Sequence, residues 1–230
     1  MDCRKLFMPL AVAAIATGCG EPTGPAAQPP PNVIETVDDG LRTLRWGGGA
    51  PRFVVVMDGS QLPVPTPPAG WGSPVSDYSV SFSIPQASSS TLRVDYMDAN
   101  GRTSPFLEFS VDESGIESDS KGRPVALGES VQLTLTIDLS DLSVQFEPYG
   151  VQFKASQPAL LKMWYTEADG DLDGDGDTDG QDTYIQRNLL GLWDREAPWK
   201  PLKEVDASHS VGEKKFTAGV LNLTGYAVSY

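Results

Sequence analysis

The sequence predicts an all-β fold, an antiparallel β-sandwich, and two observations carry the prediction. Apolar and polar residues alternate with a period of two over many short runs, and Gly, Pro, Ser and Asp cluster between them. The 230 residues leave room for one large β-domain or two small ones, and 40% hydrophobic with 21% charged residues is ordinary for a folded globule.

The first residues stand apart from that fold. Arg4 and Lys5 precede an apolar run at residues 6–16, and Thr17-Gly18-Cys19 follows. A positive end, an apolar stretch too brief to span a bilayer and small residues at a cut site make an export signal, expected over residues 1–18. Residues 16–19, Ala-Thr-Gly-Cys, resemble the lipobox of bacterial lipoproteins, with Ala16 where Leu is usual. The resemblance implies that the Cys19 thiol is acylated, becomes the mature N-terminus and ties the protein to a bacterial membrane. With Gly20 next, and not Asp, it implies the outer membrane in a cell that has two. A plain secretory signal with an incidental cysteine is the alternative. Residues 19–40 read as a tether, rich in Pro, Gly and Ala and including Pro29-Pro30-Pro31. Such a segment stays extended at about 3 Å per residue.

Residues 41–230 are the expected sandwich body. Tyr78, Val80, Phe82 and Ile84 alternate with serines, and Val131, Leu133, Leu135 and Ile137 alternate with Gln132, Thr134 and Thr136. Leu92, Val94, Tyr96 and Leu107, Phe109, Val111 repeat the pattern. Each run places one apolar row inward and one polar row outward. Further strands are expected at residues 41–46, 52–57, 159–165, 216–221 and 225–229. A Pro-rich loop at residues 62–74 is a candidate subdomain edge. No internal repeat is visible. Cys3 and Cys19 are the only cysteines, so the body has neither thiol nor disulfide.

The formal net charge of −14 is concentrated. Of 31 acidic residues, eight fall between Glu167 and Asp182 with no Lys or Arg among them, leaving 23 against 17 basic residues elsewhere. A surface of this sign repels phosphate backbones, so nucleic acid is not an expected partner.

Within that acidic run, residues 171–182 place carboxylates at Asp171, Asp173, Asp175, Asp177, Asp179 and Asp182, with Gly176 sixth. Counted from Asp171, positions one, three, five, nine and twelve are acidic, the spacing of the calcium loop in EF-hand and dockerin modules. A hard cation takes six to eight oxygens at about 2.4 Å, and alternate side chains of a tightly curled loop converge on its centre. Asp177 is expected to contribute its carbonyl, Asp179 to bind directly or through water, and Asp182 to close the shell. The closing residue is Asp where a tight EF-hand has Glu, and Thr178 stands where paired loops carry an apolar residue. Both features point to a single site of modest affinity. A solvated acidic hairpin tip is the plain alternative. A short helix is expected at residues 183–191, with Ile185 and Leu189 one turn apart and Gly191 as its C-cap. The stretch resembles the first half of a dockerin; the second repeat of that module is missing, which argues against a cohesin ligand.

From about residue 124 a second likeness enters. Phe146, Pro148, Gly150 and Phe153, followed by Pro158-Ala159-Leu160, resemble the signature of ZU-five domains, and residues 223–228 resemble that family's final strand. The resemblance implies a β-sandwich with a scaffold or protein-interaction role. Some relatives cleave themselves at a His-(Leu/Phe)-(Ser/Thr) triplet in that strand. Here the triplet is Asn222-Leu223-Thr224, without the histidine that takes the hydroxyl proton, so self-cleavage is not expected.

No nucleophile elbow, zinc-protease helix, phosphate loop or dinucleotide fingerprint is present, and His209 is the only histidine. The chain is therefore expected not to be an enzyme. Three readings stay open. The first is a calcium-binding surface scaffold or interaction module. The second is a carbohydrate-binding or adhesive module using Trp46, Trp71, Trp164, Trp193 or Trp199. The third is a hydrolase whose paired acids are drawn from residues such as Asp95, Glu108 and Glu147.

Overall fold

The computed structural model describes residues 40–48, 51–62, 77–195 and 203–230. The expected signal, Cys19, the tether up to residue 39, most of the Pro-rich stretch, Trp71 and Trp199 lie outside the described residues. In chain order the first strands are β1 (Arg52–Met57), β2 (Ser60–Gln61), β3 (Asp77–Pro85), β4 (Ser90–Met97) and β5 (Thr103–Val111). Next come β6 (Ile116–Ser118), β7 (Ser130–Asp138), β8 (Ser143–Glu147), β9 (Gln152–Phe153) and β10 (Ala159–Trp164). A helix, α1 (Gly180–Asn188), precedes β11 (Gly191–Arg195), β12 (Lys203–Glu204), β13 (Ala207–Ser210), β14 (Lys215–Val220) and β15 (Gly225–Ser229).

These strands form an antiparallel β-sandwich, as the alternation predicts. One sheet runs β13-β14-β10-β5-β4-β1-β2, the other β12-β11-β15-β8-β7-β3, and β6 pairs with β9 in a small third ladder. The alternation decides which side faces in. Val80, Phe82 and Ile84 of β3 and Val131, Leu133, Leu135 and Ile137 of β7 are all buried, opposite one another in continuous register. Phe109 of one sheet meets Phe146 of the other at 4.9 Å between ring centroids, and Phe53 meets Tyr78 at 5.5 Å. These contacts bind the two layers through their largest side chains. On the outer face the hydroxyls pair across strands, Ser79 with Thr136 at 2.9 Å and Ser81 with Thr134 at 3.0 Å.

Several strands differ from expectation. Residues 41–46 form no continuous strand. Thr43 bridges Ser229, Arg45 bridges Asp141 and Trp46 bridges Ala168, so the segment passes three neighbours without following any one of them. The short β6, β9, β11, β12 and β13 hold two to five residues each, too few to display a period. The Pro-rich stretch does not divide two sheets, because β1 before it pairs with β4 after it.

Two interior details hold the frame. Gln86, 5% exposed, donates from Nε2 to the carbonyls of Ile116 (2.8 Å) and Val125 (3.2 Å) and accepts at Oε1 from the Ile116 N–H. Trp46 packs edge-on against Phe53 and Phe106, stacks on Tyr96, and donates its indole N–H to the Asp138 carbonyl.

Candidate metal centre

The Asp-rich stretch links β10 of the seven-stranded sheet to α1 and then to β11 of the six-stranded sheet. Alternating Asp and Gly has poor helix and strand propensity, and short carboxylates readily accept from nearby backbone N–H groups, so the chain curls. Gly174 (φ 81°) and Gly176 (φ 98°) occupy the left-handed region that side chains disfavour. The Asp171 carboxylate accepts from the N–H groups of Gly174 (2.7 Å), Asp175 (3.1 Å) and Gly176 (2.9 Å). Asp173 accepts from the Asp175 N–H and Asp175 from the Asp177 N–H.

The outcome is a convergence. Carboxylate oxygens of Asp171, Asp173 and Asp175 lie within 4.8 Å of one another. Asp173 sits above the usual carboxylate range because its surroundings are desolvated and because Asp175, Asp182 and Asp171 add negative charge nearby. Asp177, Asp179 and Asp182 are not part of this group. Asp179 is the N-cap of α1 and accepts from the Gln181 N–H at 2.6 Å. Asp182, 4% exposed, is a latch: Oδ1 accepts from Leu172 (2.6 Å) and Asp173 (3.2 Å), and Oδ2 from Asp179 (2.7 Å). The Asp179 N–H bond is the main reason its carboxyl lies below the usual range, with further N–H bonds from Leu172 and Asp173 adding to it.

Three contacts anchor the loop to the body. The Asp169 N–H donates to the Arg45 carbonyl, Arg42 Nη1 donates to the Asp173 carbonyl at 3.2 Å, and the Tyr230 hydroxyl donates to the Leu172 carbonyl. A cleft of about 580 Å³ lined by Arg42, Arg45, Asp169, Asp171, Leu172 and Tyr230 adjoins the carboxylates. Sequence reasoning missed Arg42, Arg45 and Tyr230. Arg42 and Asp173 are 131 positions apart, and no local pattern joins them.

Aspartates also accept pairs of N–H groups elsewhere. Asp98 holds Asn100 and Arg102, and Asp119 holds Lys121 and Arg123. Those hairpin tips each use one carboxylate; residues 171–175 bring three to one place.

The helix also departs from expectation. It begins at Gly180 rather than residue 183, because Asp179 and Asp182 form a capping box, and it ends with Leu189 as C-cap. Gly191 opens β11 instead, where an added Cβ would lie 3.0 Å from the Trp193 indole nitrogen.

The other candidates are occupied otherwise. Glu108 pairs with Lys162 and Asp95 with Arg93, each at 2.7 Å. Glu147 lines a shallow surface depression with Ser81, Thr134 and Tyr149. His209 Nε2 lies 2.7 Å from the Tyr165 hydroxyl and its ring stacks on Phe216 at 4.2 Å; burial holds its pKa below the usual value. The buried Thr224 hydroxyl donates to the Gly225 carbonyl. Among the described tryptophans, Trp46 belongs to the core, Trp164 is in the seven-stranded sheet beneath Lys215, and Trp193 is in the six-stranded sheet. Those three do not share one face.

Fold and site together define an all-β sandwich protein with a group of three aspartates that could hold a metal ion. Compared with known protein families, with curated proteins and with solved structures, the chain matches none. Among the described residues no helix is long and apolar enough to cross a membrane.

Proposed function

We propose that residues 171–182 bind a calcium ion, and that the chain is a lipid-anchored, extracytoplasmic β-sandwich protein serving as a surface scaffold or interaction module. The observation that carries the metal reading is the convergence of Asp171, Asp173 and Asp175 within 4.8 Å. Three carboxylates at that separation repel; desolvation first and then this repulsion raise the Asp173 pKa, and a divalent cation among them offsets the repulsion.

The donor chemistry favours calcium. All candidate ligands are oxygens, whereas zinc is usually held by Cys and His, and His209 of β13 is engaged with Tyr165, just after β10. Asp171, Asp173 and Asp175 are the proposed carboxylate ligands, with the Asp177 carbonyl, Asp179 and water completing the shell. Asp182, which lies outside the converged group and holds three backbone N–H groups, keeps the loop closed and is the proposed closing ligand through an oxygen lone pair it has left. Calcium supplies no bond-making chemistry in this reading. It fixes the crossing between the two sheets.

The lipobox-like residues 16–19 support the membrane anchor, and the ZU-five-like residues 146–153 support an interaction role. In that segment Phe146 and Phe153 are buried, and Gly150 has the left-handed φ of 83°.

Thermal melts with calcium test the metal reading. With a dissociation constant of about 1 mM, 10 mM calcium adds about 1.4 kcal/mol, a rise of roughly 3–5 °C for a domain of this size. Asp171→Asn should abolish the rise, since it removes a ligand charge at the centre of the group. An unchanged melt of the native chain would falsify the calcium site.

A further inference from the structure

Leu172 and Asp173 are pinned from two sides. Their N–H groups donate to the Asp182 carboxylate of α1, at 2.6 and 3.2 Å. Their carbonyls accept from the Tyr230 hydroxyl and from Arg42 Nη1, the latter at 3.2 Å. The N–H and C=O of two successive residues are thus all engaged, on one side by the helix and on the other by the first and last described segments. Those two segments hold each other as well. The Arg42 N–H donates to the Tyr230 carbonyl (2.9 Å), the Tyr230 N–H to the Arg42 carbonyl (3.1 Å), and the Thr43 and Ser229 hydroxyls lie 3.0 Å apart.

Asp173 also belongs to the three converging carboxylates. One residue therefore offers its side chain to the metal group and its carbonyl to Arg42. The grip on the leading segment is uneven. Leu44 and Trp46 are core residues, 2% and 9% exposed, and hold by burial. Ahead of them Gly40 and Arg42 are exposed, and Leu41 and Thr43 are half-buried. Backbone bonds at an exposed margin with little apolar cover open locally at low cost.

We propose that calcium in this loop clamps residues 40–43 and Tyr230 to the sandwich, so that the metal sets how firmly the body holds the chain that enters it. The inference rests on the calcium reading above. With the ion bound, the carboxylates of Asp171, Asp173 and Asp175 no longer push the loop apart. The Asp173 peptide then keeps one orientation, and Arg42 and Tyr230 keep fixed partners. Without the ion the loop opens more often, and residues 40–43 lose part of what holds them in place. Such coupling is reciprocal. Whatever factor calcium adds to the closure of residues 40–43, their closure adds to calcium affinity.

Calorimetry and amide hydrogen exchange followed by NMR, both on the full chain, test the clamp. In 10 mM calcium, exchange of the Arg42 and Tyr230 amides is expected to slow about fivefold. The Lys121 and Arg123 amides, which bond to Asp119 in a hairpin tip, are the control and should keep their rates. Tyr230→Phe removes one hydroxyl and no charge, so it should weaken calcium about threefold and lessen the slowing at the Arg42 amide. Arg42→Gln, which loses the bond to Asp173, should lessen the slowing at the Tyr230 amide and serves should the Tyr230 variant fail to fold. Calcium that binds in the calorimeter and protects the loop, yet leaves the Arg42 and Tyr230 amides unchanged, overturns the clamp and leaves the metal site standing. Slowing that both variants keep in full overturns it too. Neither heat nor protection anywhere removes the calcium site, and the clamp with it.

Discussion

Gln86 shows how one side chain can hold three distant backbone groups. Its amide serves the N–H and C=O of Ile116 and the C=O of Val125 in a site that water does not reach. Gln86→Leu keeps the volume and removes all three bonds, so it should cost about 2–4 kcal/mol, read from urea unfolding. Nothing in the sequence marks Gln86, which follows Pro85 in a stretch that reads as a turn. The aspartates are the opposite case. Their spacing was legible, because carboxylates at alternate positions of a Gly-rich loop are a local pattern. Their division of labour was not: three converge, one caps a helix, and Asp182 collects N–H groups from residues up to ten positions away.

At the scale of elements, α1 depends on its cap more than on its apolar face. Only Asp182 and Ile185 are buried along it, while Tyr184 is exposed, as is the capping residue Leu189. Asp179→Ala, measured in the presence of a chelator, should therefore cost about 1 kcal/mol, the usual value of an N-cap. The spacing of Asp179 and Asp182 fits a metal loop and a capping box alike, and the capping box starts the helix three residues earlier than the expected residue 183. The long strands were legible because nine residues such as Asp77–Pro85 and Ser130–Asp138 show four or five alternations. Segments of two residues show none, and residues 41–46 read as a strand although their partners change at almost every step.

For the molecule as a whole, stability rests on contacts between elements far apart in the chain. Trp46 touches Phe53, Tyr96 and Phe106 and donates to the Asp138 carbonyl, so it joins the leading segment to both sheets. Trp46→Ala should cost about 3–5 kcal/mol, the range for truncating a large core aromatic. It should lower the midpoint of one cooperative transition, followed by circular dichroism, and not produce a second one. The first and last described segments also meet, through reciprocal bonds between Arg42 and Tyr230, which places the Asp-rich loop beside Tyr230. What this sequence determined unaided was the all-β class, the inward face of each long strand and the position of the acidic loop. All of these follow from short-range periodicity and spacing. The tertiary structure alone decided the order of strands in each sheet and the meeting of Arg42 with the loop. Those depend on pairings across scores of residues, where burial and hydrogen-bond satisfaction of the whole chain, and not any local pattern, select the partner.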